Sequence, residues 1–306
     1  MTEPRVAVGP APSDTAYEAI RLGGGEPVDA DASADALVWL DPADLDGLKD
    51  ALAAARSARW VQLPFAGVER AAASGLFDSD RTWTSAKGAY AEPVAEHALT
   101  LALAGLRCLP ERIIARSWGE PAGASLYDEP VTILGGGGIA VSLLELLAPF
   151  RAVATVVRRQ PEPVPGAVHT LPQSQLHEAL AGARIVFLAL ALTPGTERII
   201  GAAELDVMRP DSWLVNVARG RHVDTDALVT ALRAGAIGGA ALDVTDPEPL
   251  PDGHPLWELE NCVITPHTAE TPEMAERLLA RRIQDNVTRF AAGEPLIGVV
   301  DPDAGY

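Results

Sequence analysis

The chain has 306 residues, with 24 Lys and Arg against 42 Asp and Glu, a net charge of −18, and 48% hydrophobic residues. That length suits about two domains of roughly 150 residues each, and the apolar content can fill a sizeable core, which excludes disordered and fibrous classes. So acidic a chain offers no clustered basic surface to follow a phosphate backbone, and nucleic acid is not expected as a partner.

Met1-Thr2-Glu3-Pro4 lacks a basic n-region, and the segment after it is too broken by Gly, Pro and Asp for a signal peptide, so the mature protein is expected to start at or near Met1. Short apolar runs follow at 5–8, 36–40 and 59–63, separated by helix-length stretches such as 42–57. Strands interleaved with helices in this way predict a parallel α/β layer. The Ala- and Leu-rich segment 92–118 reads as one buried helix, with Pro110 marking a bend or break near its end. Its most apolar part, 94–106, carries Glu96 and His97 and falls short of the roughly 20 apolar residues of a membrane span. Cys108 and Cys262 have no paired spacing, so neither a disulfide framework nor a zinc site is encoded, and a cytoplasmic location is expected.

A second series of near-continuous apolar runs occupies 131–134, 153–157, 185–190, 213–217, 240–244 and 262–265. Runs of this kind are strands covered by helices on both faces, which predicts a doubly wound domain. The stretch 160–166, with three prolines, reads as a loop.

Directly after the first of these strands comes Gly135-Gly136-Gly137-Gly138-Ile139-Ala140, which fits the dinucleotide-binding spacing G-x-G-x-x-A. Gly135 allows the tight turn, Gly137 lets backbone approach a pyrophosphate, and small Ala140 permits close helix–strand packing. The helix start that follows offers N–H groups to the anion. Roughly 20 residues on, where an NAD site places a carboxylate on the ribose 2′-hydroxyl, the chain has Arg158-Arg159 instead. Two guanidiniums suit a 2′-phosphate, so NADP(H) is favoured, with NAD(H) as the alternative.

Three later segments bring polar groups to strand ends: Asn216-Val217-Ala218-Arg219-Gly220, Asp243-Val244-Thr245-Asp246-Pro247-Glu248, and Thr265-Pro266-His267-Thr268-Ala269. With these the chain resembles the D-isomer-specific 2-hydroxyacid dehydrogenase family, nearly end to end. The likeness runs from Gln62-Leu63-Pro64-Phe65-Ala66-Gly67-Val68 through Glu92-Pro93-Val94-Ala95-Glu96 to Gly293-Glu294-Pro295-Leu296 and the closing Gly305-Tyr306.

The resemblance implies a flavodoxin-like substrate domain from 1–92 and 272–306, with a Rossmann NAD(P)-binding domain inserted at 93–271 and the active site in the cleft between them. It places the catalytic Arg, Glu and His on Arg219, Glu248 and His267. These types suit the chemistry independently: His267 would donate a proton to a carbonyl oxygen, Glu248 would favour its charged form and orient the ring, and Arg219 would hold the substrate carboxylate. It further implies that Asp243 meets the nicotinamide carboxamide, that Gly138, Ile139, Val217 and Ala218 contact the cofactor, and that the amides of Ala66 and Gly67 bind the substrate carboxylate. Trp39 and Leu40 are expected either at the substrate mouth or in the core. The chain departs from the family pattern at Ala191, where a proline is usual, and at Gly136, where an apolar residue is usual; neither removes a chemical group.

The implied activity is reduction of a small 2-oxoacid to its D-2-hydroxyacid, with glyoxylate and hydroxypyruvate as first substrates. A homodimer joined through 92–118 is implied as well. The alternatives are a phosphoglycerate-dehydrogenase-like enzyme, a formate-dehydrogenase-like enzyme, and a corepressor-like dinucleotide sensor. No histidine pair shows metal-ligand spacing, so no metal is expected.

Overall fold

The structure, a computed structural model, describes residues 3–301. The closing Gly305-Tyr306 and the tail beyond Asp301 lie outside the described residues. The chain divides into two compact units, Met1–Tyr90 with Thr271–Tyr306, and Ala91–Glu270.

In the first unit, five parallel strands form one sheet: β1 (Arg5–Gly9), β2 (Glu26–Val28), β3 (Ala36–Trp39), β4 (Trp60–Gln62) and β5 (Thr82–Thr84), in the order β2-β1-β3-β4-β5. This is the flavodoxin-like order, in which the strand sequence reverses between β1 and β3. The apolar runs β1, β3 and β4 supply buried side chains such as Leu37 and Val61 to a core shared with Leu48 and Leu52 of the helix Leu45–Ala54. That helix starts where the Asp44 carboxylate accepts the Gly47 amide at 2.7 Å, satisfying an N–H with no intrahelical partner. The helix Pro272–Ala292 rests on the helix Asp14–Leu22, and its buried Asn286 donates to Gln62 Oε1 and to the Ile297 carbonyl, both at 3.0 Å. Trp39 is a core residue, 2% exposed, with its ring against Gly9.

The second unit holds seven parallel strands: β6 (Pro130–Leu134), β7 (Val153–Arg158), β8 (His169–Pro172), β9 (Ile185–Leu188), β10 (Trp213–Asn216), β11 (Gly239–Leu242) and β12 (Cys262–Ile264), ordered β12-β11-β10-β9-β6-β7-β8. Counted from β6, this is the dinucleotide-binding order with one strand added at an edge. All four residues of β9, β10 and β11 are buried, as strands covered on both faces must be. On one face lies the helix Ala91–Leu106, which approaches β10 so closely that Gly105 sits on the Trp213 indole, where a β-carbon would overlap the ring.

Three strands, β2, β5 and β8, are absent from the sequence reading. Each is an edge strand of three or four residues, and β2 and β8 contain a proline, so none shows the apolar run that marks a covered strand. The segment 92–118 is not one buried helix. Its first part ends at Leu106, Cys108 takes a left-handed φ of 53°, and a separate short helix, Leu109–Ile114, carries Pro110 in its first turn and buries no side chain. Proline lacks the N–H an uninterrupted helix needs, so the chain breaks just before it and begins again.

Candidate active site

Open α/β sheets bind ligands beyond the carboxyl ends of their strands, at the point where strand order reverses. In the second unit that point lies between β6 and β9, and the glycine turn stands there. Gly135 has φ +106°, and a β-carbon would run into the Ala189 carbonyl at the end of β9, so this position requires glycine. Gly137 caps the helix Gly138–Leu147 from an extended conformation, with open space where a β-carbon would stand. Gly137 and Gly138 are exposed, Ile139 is half-buried, and Ala140 is fully buried where the helix meets the sheet. Bare backbone at a helix start offers N–H groups to an anion, so these residues fit a dinucleotide pyrophosphate. Arg158 ends the neighbouring strand β7 and is half-buried, and Arg159 follows it, exposed.

The ends of β10, β11 and β12 lie side by side and carry the other candidates. Beyond β10, the buried Asn216 side chain accepts the Ala218 amide at 3.0 Å and donates to the Arg219 carbonyl at 2.9 Å. That side chain folds Val217-Ala218-Arg219 into a fixed turn, and Arg219 Nη1 donates to the Ala218 carbonyl at 2.7 Å. The next residue, Gly220, touches the backbone of Thr245 so closely that no β-carbon fits, which packs the Arg219 turn against the loop that carries Glu248. Thr225 Oγ1 holds the same loop through the Asp246 carbonyl at 2.8 Å.

Glu248 and His267 meet. The Nδ1 atom of His267 lies 2.6 Å from Glu248 Oε1, and the two side chains are 44% and 42% exposed, so the pair is open to a substrate. Such a bond to an ionised carboxylate places a proton on Nδ1 and leaves Nε2 as the ring atom for proton transfer. His267 has φ +50°, a left-handed conformation rare for a side chain with a β-carbon. Its amide donates to the Asp243 carbonyl at 2.8 Å and the Thr265 carbonyl at 3.0 Å.

Asp243 explains how that conformation persists. Its carboxylate, 2% exposed, accepts the Thr268 amide at 2.9 Å, the Ala269 amide at 3.0 Å and the Thr265 hydroxyl at 2.5 Å, while His97 Nε2 lies 3.3 Å from Oδ1 and 3.1 Å from Thr265 Oγ1. Burial pushes the Asp243 carboxyl up, but the bonds from His97, Thr265 and the two amides outweigh it and bring it to about 2 from an ordinary 3.8. The charged form is thus built into the turn that presents His267.

Two residues enter the cluster unforeseen. His97, half-buried on the helix Ala91–Leu106, has its role through a tertiary contact 168 positions away in sequence, which no local spacing signals. Glu270 follows His267 by three positions; burial pushes its carboxyl above the ordinary range, His267 and Arg219 pull it back, and Asp243 pushes it up. Ala66 and Gly67 belong to the first unit, on the loop after β4, with Ala66 exposed.

A family model described as D-isomer specific 2-hydroxyacid dehydrogenase, NAD binding domain, matches residues 98–269. The glyoxylate/hydroxypyruvate reductase A of Photorhabdus laumondii is 31% identical over 216 residues, covering 69% of this chain and 68% of that protein. The human glyoxylate reductase/hydroxypyruvate reductase is 33% identical over 215 residues, covering 67% and 65%. Among solved structures, a D-isomer specific 2-hydroxyacid dehydrogenase of Xanthobacter autotrophicus in complex with NADPH and MES superposes over 100% of both chains with a TM-score of 0.85 and 27% identity.

A carboxyl lowered by its folded surroundings stabilises the fold fully above its unfolded value near 4 and loses that contribution as the pH falls through its folded value, here about 2. The shift corresponds to roughly 2 kcal/mol. Urea unfolding at stepped pH is expected to show wild-type protein losing roughly that much more stability than Asp243→Asn between pH 4 and pH 2. Equal losses in the two proteins would contradict the clamp.

Proposed function

Since the chain belongs to the D-isomer-specific 2-hydroxyacid dehydrogenase family and is a dehydrogenase that uses a nicotinamide dinucleotide, we propose that it reduces small 2-oxoacids to D-2-hydroxyacids, with glyoxylate and hydroxypyruvate as first substrates and NADP(H) as preferred cofactor. The observation that carries this reading is the His267–Glu248 pair, bonded at 2.6 Å and open to solvent, at the carboxyl edge of a sheet that also carries a glycine turn. The named relatives act on glyoxylate and hydroxypyruvate, which supports the substrate choice.

The dinucleotide, when bound, supplies the hydride for the carbonyl carbon. Gly135, Gly137, Gly138 and Ile139 would hold its pyrophosphate, Arg158 and Arg159 its 2′-phosphate, and Val217 and Ala218 the approach to its nicotinamide. Asp243 Oδ2, engaged by the Ala269 amide, would also accept from a carboxamide, because a carboxylate has about four acceptor directions. Arg219 would clamp the substrate carboxylate in the bidentate manner of a guanidinium and draw electron density from the adjacent carbonyl. The amides of Ala66 and Gly67 are further candidates for a carboxylate. His267 would donate its Nε2 proton to the carbonyl oxygen as the alcohol forms, with Glu248 fixing the ring and stabilising its positive charge before transfer. In the reverse direction the neutral ring takes that proton back.

A homodimer joined through the region after Leu106 fits the same reading. Ile113, Ile114 and Trp118 are 75%, 66% and 96% exposed, an apolar surface that a second copy would cover. The free cysteines Cys108 and Cys262 suit a reducing compartment such as the cytoplasm.

Oxidation of NADPH and NADH, followed by absorbance across glyoxylate, hydroxypyruvate, pyruvate and bulkier 2-oxoacids, is expected to show turnover that favours NADPH. In His267→Ala that turnover should fall by at least about 100-fold, the usual contribution of a general acid. Unchanged turnover in the variant, or none in the wild type alongside dinucleotide binding, would remove the reading. Light scattering is expected to give twice the chain mass, and Ile113→Asp with Trp118→Ser the single mass; a monomeric wild type would remove the dimer.

A further inference from the structure

Gly136 is a glycine of the turn that its backbone does not require. Gly135 is fixed by its left-handed φ and by the Ala189 carbonyl, whereas Gly136 is not among the residues with positive φ. What a β-carbon at Gly136 would meet is side chain: Arg158 Cδ at 3.1 Å, Val164 Cγ2 at 3.2 Å and Arg158 Nε at 3.3 Å. The parallel register explains the closeness, because Leu134 pairs with Val157 and the Gly135 amide donates to the Val157 carbonyl at 2.8 Å, which brings Arg158 alongside the turn.

The two neighbours are unequal in their freedom to move. Val164 is 4% exposed, lies between Pro163 and Pro165, and its amide donates to Thr170 Oγ1 at 3.2 Å. Prolines fix φ on either side of it, so a side chain wedged in at 136 cannot push it aside without disturbing packed structure. Arg158 is the long, half-buried chain, and it is the one that would swing away.

We propose that Gly136 is a cofactor-specificity residue: it leaves the space in which the Arg158 stem lies across the glycine turn, and so sets the preference for a dinucleotide carrying a 2′-phosphate. This rests on the reading of Arg158 as the phosphate-binding guanidinium. A side chain at 136 displaces that guanidinium and removes charge-assisted bonds to the phosphate. The 2′-hydroxyl of NADH forms no such bonds, so NADH use is spared.

The test measures kcat/KM for NADPH and for NADH with glyoxylate in wild type, Gly136→Ala, Gly136→Leu, Arg158→Ala and Gly136→Leu/Arg158→Ala, with thermal melting to verify folding. Arg158→Ala is expected to lower the NADPH/NADH ratio by about 10- to 100-fold, the worth of a charged hydrogen bond. Gly136→Leu should approach that ratio and Gly136→Ala lower it less, with NADH kcat/KM within about threefold of wild type in both. In the Arg158→Ala background, Gly136→Leu should lower the ratio no further, because the two changes remove one interaction. If Arg158→Ala leaves the ratio unchanged, the phosphate reading itself fails. If Arg158→Ala lowers it while Gly136→Leu leaves it unchanged, or reduces NADPH and NADH use equally, the role assigned to Gly136 is overturned. Should Gly136→Leu not fold, the Gly136→Ala ratio decides in the same way.

Discussion

The buried carboxylate of Asp243 is the constraint on which the site depends. A charge removed from water is costly unless donors surround it. Here the donors come from three directions: His97 from a helix, Thr265 from the end of β12, and the amides of Thr268 and Ala269 from the turn beyond it. Satisfying Asp243 therefore fixes that turn. The turn holds His267 in a left-handed conformation that the chain would not keep unaided, and from there the ring meets Glu248. The His267–Glu248 pair is assembled by packing beneath it.

The same edge of the sheet follows a different rule at the glycine turn. Around the glycine turn the polar groups are backbone, and the task of the sequence is to keep side chains out of the way: Gly135 for its φ, Gly137 for open space, Ala140 for helix packing. At Arg158 a long side chain enters, and Gly136 leaves it room. One end of the edge is thus built by filling a buried position with hydrogen bonds and the other by leaving positions empty. Both follow from a strand order that brings loops far apart in sequence to one line.

Much of this is legible in the residues. The covered strands of the second unit announce themselves as apolar runs, because a strand with helices on both faces has no polar side to show, and the glycine spacing marks the turn after β6. Edge strands β2, β5 and β8 stay hidden, being only three or four residues long, and the break at Cys108 shows only as a nearby proline. The motifs deliver Arg219, Glu248 and His267, yet they do not reveal that Asp243 faces inward to hold the His267 turn. His97 and Glu270 act through burial and tertiary contact, and neither property is a pattern in the chain.

The central claim is that Asp243 pre-assembles the His267–Glu248 hydrogen bond, and proton NMR of the ligand-free protein tests it most directly. A short imidazole-to-carboxylate bond gives a strongly downfield Nδ1 proton, assignable because it is absent from Glu248→Gln. The account predicts that this resonance is present in the wild type and lost in folded Asp243→Asn, in which the carboxylate that clamps the turn is gone. A resonance that persists unshifted in Asp243→Asn would contradict it, and would mean that the His267 turn holds its shape without the buried charge.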